Sequence, residues 1–281
     1  MRTHPLVREK GTVVNPLDKL PEEMDELVNS FSSTPVVGDL NVGVTQYSFW
    51  MCVAIIVLLA VIFTFKKKQA EDGVVPKGRF VNGVEFLVEY CRDDLCKALL
   101  GDTWRKHFPF IATMFFFILC NNIVGVIPGC KPGTGCIGTT AALALVSFVY
   151  FIVVGMKSKG VIGYIKSLAP AGVAFPMNAL VWVIEVFSTF LRLVTLAVRL
   201  FCNLFAGHVV MGTFAILASL FFEPLMQGFS AQALGQAGAS IFWVAILLVI
   251  YAVELLVAAI QAYVFTLLSA VYIQLAEAEG H

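Results

Sequence analysis

The sequence predicts an all-α, polytopic membrane protein, and three observations lead there. The 281-residue chain is 59% hydrophobic with a mean hydropathy of +0.85. Only 14% of its residues are charged, where soluble domains carry about a quarter. Several apolar runs reach the ~20 residues that a helix needs to cross a bilayer. The net charge of zero supplies no global field for nucleic acid, and no nucleic-acid partner is expected.

The elements follow in chain order. Residues 1–44 form a polar amino-terminal extension in which "NPLDKLPEEMDEL" reads as a short amphipathic helix after Pro21. It contains no apolar stretch of the signal-peptide kind. A first span occupies 45–66, built on "YSFWMCVAIIVLLAVIFTF", and the lysines at 66–68 follow it at once. Basic residues mark the cytoplasmic or matrix side, so the amino terminus is expected on the opposite, positive side of the membrane. Residues 67–107 are a basic loop with a helix, because Phe80, Val84, Leu87, Val88, Cys91, Leu95 and Leu99 recur at three- and four-residue steps. Such a helix lies at the interface.

A two-span hairpin covers 108–157. Its first span ends at Pro128–Gly129, and its second returns to "KSK" at 157–159, again on the inside. Residues 158–281 then hold a long helical hairpin, with the carboxyl terminus inside. From Gly172 to Phe222 there is no convincing break, only Pro176 near one end and Pro224 beyond the other. Fifty residues would extend ~75 Å, more than twice a hydrocarbon core of ~30 Å. That helix must break near Gly207 or Gly212, or lie strongly tilted. A second long helix is expected at about 235–276. Seven cysteines show no metal-ligand spacing. Cys130 and Cys136 have a disulfide open to them if their loop faces an oxidising side, and are otherwise small apolar fillers like the rest.

Charge placement locates function. Eleven charged residues fall in 1–44 and sixteen in 66–106, whereas 167–276 holds five: Glu185, Arg192, Arg199, Glu223 and Glu254. An ionisable group at membrane depth costs ~2.5–3.5 kcal/mol or more and faces a partner or water. Asn178, Glu185, Arg192 and Arg199 are spaced by sevens, with Ser188, Thr195 and Asn203 three or four residues away from members of that series. All share one helix face, drifting ~20° per heptad, and His208 continues it. Glu254 and Gln261 are also seven apart. In an antiparallel hairpin with Arg199 level with Gln261, Glu254 and His208 fall ~10 and ~13 Å further toward the turn. The plain alternative is structural, with Glu185–Arg192 and His208–Glu254 as ion pairs holding helices. A series of protonatable and hydroxyl groups across two helices better suits an ion pathway. Arginine, always charged, acts there as a fixed barrier and not as a relay.

These residues carry a resemblance. "LAVRLFCNLFAGHVV" (196–210) and "ELLVAAIQAYVFTLLSAVYI" (254–273) closely resemble the signature helices of the a-subunit family of F-type ATP synthases. "FPFIATMFFFILCNNIVGVIP" (108–128), "TTAALALVSFV" (139–149), the segment 157–185 and the acidic tail "AEAEGH" are similar as well, so that about 105–281 is covered. The order of His208 and Glu254 looks like the mitochondrial and alphaproteobacterial version. The resemblance implies a stator subunit packed against a rotating ring of c subunits. It forms two offset half-channels and contacts the peripheral stalk, other stator subunits and membrane lipids. Arg199 would face the ring carboxylate, with Asn203 and Gln261 as polar neighbours. His208 and Glu254 would line the inlet, and Glu185, Ser188 and Thr195 the outlet. Arg192 and Asn178 rank second, without an assigned role. The implied subunit is not an enzyme, has no catalytic residue, and needs no metal or cofactor. Its place is an energy-transducing membrane, the mitochondrial inner membrane or the bacterial plasma membrane. Some relatives carry an aspartate before "TTAALAL", where this chain reads "GCIG" (135–138). A stand-alone channel or secondary transporter, a sodium-coupled version of the same subunit, and a membrane scaffold are the alternatives.

Overall fold

The computed structural model describes residues 19–31, 35–37, 44–72, 78–167, 177–227 and 231–278. Residues 1–18, Pro176, Gly228 and the last three residues of the acidic tail lie outside the described residues. Among those described the fold is helical, apart from a two-stranded antiparallel pairing of β1 (Pro35–Val37) with β2 (Val44–Thr45). Among the described residues, five helical segments, 46–70, 79–126, 137–159, 177–224 and 238–277, are long and apolar enough to cross a membrane. The chain is a multi-pass membrane protein. Two compact units divide it: residues 33–207 with 253–281, and residues 1–32 with 208–252.

In the larger unit, α2 (Gln46–Asp72) packs on α5 (Trp104–Val126), where the Cys120 thiol donates to the Ala54 carbonyl at 3.3 Å. Between them the chain runs through α3 (Arg79–Tyr90), a π-helical stretch at Cys91–Lys97, and α4 (Ala98–Leu100). The π-helical turn is a departure from the regular amphipathic helix that the apolar spacing predicts. An extra residue in the turn buries Leu95 and Cys96 together, alongside Cys91. α6 (Ile137–Lys159) ends at Gly160, whose φ of 75° is the left-handed conformation in which glycine avoids a Cβ penalty. α7 (Val161–Ser167) follows at once. Cys130 and Cys136 are both free thiols.

The long helices are α8 (Met177–Gln227, 51 residues) and α9 (Ala231–Glu277, 47 residues). α8 is continuous through both Gly207 and Gly212, so no break shortens it. The part of α9 in the larger unit is fixed from both sides by polar groups. The Asn122 side-chain amide donates to the Ala258 carbonyl at 3.2 Å while its oxygen accepts from Thr134 at 3.0 Å. Ser147 donates to Ser269 at 2.8 Å. Where lipid offers no hydrogen bonds, such contacts set the register between helices.

In the smaller unit, α1 (Leu20–Ser30) begins with Pro21 and a first turn of Glu22 and Glu23, a favourable helix start. It lies on the second half of α8. The Thr213 hydroxyl donates to Met24 Sδ at 3.4 Å, and Leu27 sits where a Cβ on Gly212 would be only 2.7 Å from it. Trp243 of α9 packs against Phe214 and Phe221, and Ser240 donates to the Ala218 carbonyl at 2.7 Å.

Candidate functional site

The stripe on α8 is the starting point. A seven-residue step is nearly two turns, so side chains at 185, 192 and 199 leave the helix in nearly the same direction. Arg192 Nη2 donates to Glu185 Oε1 at 3.0 Å, and its guanidinium stands 5.3 Å from the ring centre of Tyr272 on α9. These two contacts hold Arg192 at the wall of a cavity of about 320 Å³, shared with Glu185, Thr189, Tyr164, Lys159 and Tyr272. Tyr164 reaches this cavity from α7 because Gly155 carries no side chain: a Cβ there would lie 2.5 Å from the Tyr164 ring. Burial pushes the Tyr164 hydroxyl above its ordinary value, with Arg192 opposing the rise and Glu185 adding to it. Ser188 is half-buried, and the exposed Thr195 returns its hydroxyl to the backbone carbonyls of Leu191 and Arg192. Asn178, at the start of α8, has its side-chain oxygen buried without a partner among the described residues.

Arg199 is different from Arg192. Its side chain is exposed, and it makes no hydrogen bond or ion pair among the described residues. Leu196, Leu200 and Leu204, on the flank of the helix to one side of it, are buried, so packing into the unit does not require the arginine. The exposed sector at whose edge it stands carries Thr195 and Cys202 and, further round, the apolar Val198 and Phe205.

Three further polar groups are buried and incompletely paired. Glu254 is only 6% exposed and Gln261 7%. Glu254 Oε1, Gln261 Nε2 and Asn203 Nδ2 have no hydrogen-bond partner among the described residues. A buried polar atom left in that condition costs ~1–3 kcal/mol, so a protein retains one where it serves a purpose. The Glu254 carboxyl occupies the space that a methyl group on Gly207 would need. Glycine at 207 is therefore what seats this carboxyl against α8. His208, the next residue, is half-buried and belongs to the smaller unit, whereas Glu254 belongs to the larger. Among the described residues no group of three or more His, Cys, Asp or Glu side chains is placed to hold a metal ion.

The structure thus brings Glu185 and Arg192 together and places Glu254, Gln261 and Asn203 as buried polar groups, with Arg199 on an outward face. It adds residues that the polar stripe alone does not indicate. Tyr272, Tyr164 and Lys159 complete the cavity at Glu185, and Gly207 accommodates Glu254. Lys159 has a readable signal as part of the basic end of a span. The aromatic residues and the glycine have none, since each is ordinary within an apolar helix.

Comparison with known proteins gives the family of the chain. The family model for the ATP synthase A chain matches residues 48–274. ATP synthase subunit a of Chlorobium phaeobacteroides (strain DSM 266) is 35% identical over 246 residues, covering 86% of this chain and 68% of the relative. Subunit a of Myxococcus xanthus is 34% identical over 245 residues, with 87% and 76% covered. ATP synthase subunit a 2 of Prosthecochloris aestuarii is 34% identical over 254 residues, with 88% and 72% covered. This chain belongs to the family of ATP synthase subunit a.

Proposed function

We propose that the chain is the stator half of a rotary proton path, forming two offset half-channels against a ring of c subunits. The observation that carries this reading is Arg199: a permanent charge, exposed and without an ion-pair partner among the described residues, midway along a long apolar helix. A cation so placed needs an anion from outside the chain. A carboxylate on a passing ring subunit supplies one. Protons enter past His208 and Glu254 and neutralise that carboxylate, which can then turn into lipid because its charge is gone. After nearly a full rotation the carboxyl meets the outlet at Glu185, Ser188 and Thr195 and releases its proton. Arg199, with Asn203 and Gln261 beside it, favours the ionised carboxylate and blocks direct passage between the half-channels. Arg192 and Asn178 extend the outlet stripe.

In this reading the amino terminus lies on the positive side and the carboxyl terminus on the cytoplasmic or matrix side. α8 and α9 form a tilted hairpin that follows the ring. Peripheral-stalk and other stator subunits hold the chain still, and the chemistry of ATP belongs to other subunits. The test is ATP-driven proton pumping in vesicles containing the assembled complex with Arg199→Ala. Pumping should vanish while subunit content stays normal. Pumping near the wild-type rate would leave the stripe with a structural role only.

A further inference from the structure

A second polar cavity, of about 490 Å³, lies between the start of α5, the end of α6 and the end of α9, away from the α8 stripe. His107 is buried beside it, with Nε2 3.0 Å from Glu277 Oε1 and Nδ1 3.0 Å from the Tyr150 hydroxyl. The Thr103 hydroxyl donates to Glu277 Oε2 at 2.8 Å. Both carboxylate oxygens are therefore engaged, and the Tyr150 ring is held by stacking on Phe110 at 3.8 Å.

The rim is in the opposite condition. Lys106 and Lys157 line the same cavity, both are exposed, and neither has an ion pair or hydrogen bond among the described residues. They meet because α5 and α6 are consecutive helices joined by a short loop, so the first turn of one and the last turn of the other share an end. Ser158 adds a hydroxyl, while Val153 and Val154 form an apolar wall below.

We propose that this cavity binds the headgroup phosphate of an anionic phospholipid, with Lys106 and Lys157 on the phosphate and an acyl chain along Val153 and Val154. Two ammonium groups without counter-ions favour a phosphate. Their position at the basic ends of two apolar helices is headgroup depth, on the side where clustered Lys and Arg meet anionic lipid. The valine wall decides between a lipid and a soluble anion, because a free phosphate has nothing to place there. The Glu277 carboxylate is turned onto Thr103 and His107, which leaves the two lysines as the charged groups free to meet the ligand.

The experiment uses the complete complex in nanodiscs of neutral lipid carrying a trace of photoactivatable phosphatidylglycerol, with labelled peptides located by mass spectrometry. Label should concentrate in 103–107 and 150–158. Combining Lys106→Gln with Lys157→Gln should reduce it roughly 20- to 30-fold, at about fivefold for each lysine. Lys106→Arg with Lys157→Arg should retain most of it, and Lys166→Gln, outside the cavity, should change nothing. The proposal is overturned if photoactivatable phosphatidylcholine labels these peptides equally or if the double glutamine variant labels like wild type. Removal of the label by millimolar inorganic phosphate would overturn it in favour of a soluble anion. None of these readouts depends on proton pumping, so failure here and failure at Arg199 are separable.

Discussion

Glu254 and Gly207 show how much a single missing methyl group can decide. A carboxyl buried to 6% exposure sits in space that any Cβ at 207 would claim. Replacing Gly207 with alanine therefore does more than change helix propensity: it forces the carboxyl away or bends α8, at ~1–3 kcal/mol of overpacking. We expect Gly207→Ala to lower ATP-driven pumping about tenfold or more in an assembled complex. Adding Glu254→Asp, whose shorter side chain leaves room for the methyl, should recover part of it. Wild-type pumping by the single variant would mean that the two groups are not in contact. The charged residues of the candidate site stand out in the sequence because charge is rare between 167 and 276 and each instance requires a reason. The glycine was not readable, since nothing in an isolated "AGH" says which side chain from a distant helix will lie against it. Tyr272 was hidden for a related reason: a tyrosine in an apolar helix is as compatible with core packing as with a contact to Arg192.

At the scale of elements, the register of α9 against its neighbours rests on a few buried polar contacts. Asn122 works in two directions, donating to the Ala258 carbonyl and accepting from Thr134. Its replacement by alanine strands the fully buried Thr134 hydroxyl, while the Ala258 carbonyl keeps its bond within α9, and should cost ~1–3 kcal/mol. Ser147→Ala removes only a donor, because Ser269 already gives its own proton to the Phe265 carbonyl. That change should cost about 0.6 kcal/mol, the average for hydrogen bonds between membrane helices. Thermal inactivation of the detergent-solubilised complex separates the two: Asn122→Ala should lower the midpoint clearly, and Ser147→Ala by little. Equal effects would show that helix register does not depend on Asn122. Hydropathy made the apolar helices legible, but the lack of proline between 176 and 224 leaves a break at Gly207 or Gly212 open, and α8 proves continuous, running past Pro224 to Gln227. The π-helical turn at Cys91–Lys97 was not legible, because the extra residue is selected by packing that buries Leu95 and Cys96 together. Periodicity alone favours a regular α-helix there.

At the scale of the whole molecule, the unfinished surface points to assembly. Val198 and Phe205 on α8 are exposed, as are Val253, Leu256 and Ile260 on α9, and either lipid or a protein partner must cover them. Lipid alone is a poor cover for the side of α8 that also carries Arg199, since an unpaired cation in hydrocarbon is costly. Cys202 offers a native probe of that side. It is an exposed free thiol three residues after Arg199, hence on the same side of the helix. Cys52 on α2 is likewise exposed and free and serves as the internal control. With single cysteines introduced near the ring carboxylate of the c subunit, mild oxidation of the assembled complex should join Cys202 to the ring. Cys52, on a helix with no part in the proposed path, should remain unlinked. A ring cysteine that joins to Cys52 and never to Cys202 would place the rotor on the wrong face and would remove the basis for reading Arg199 as its counter-charge.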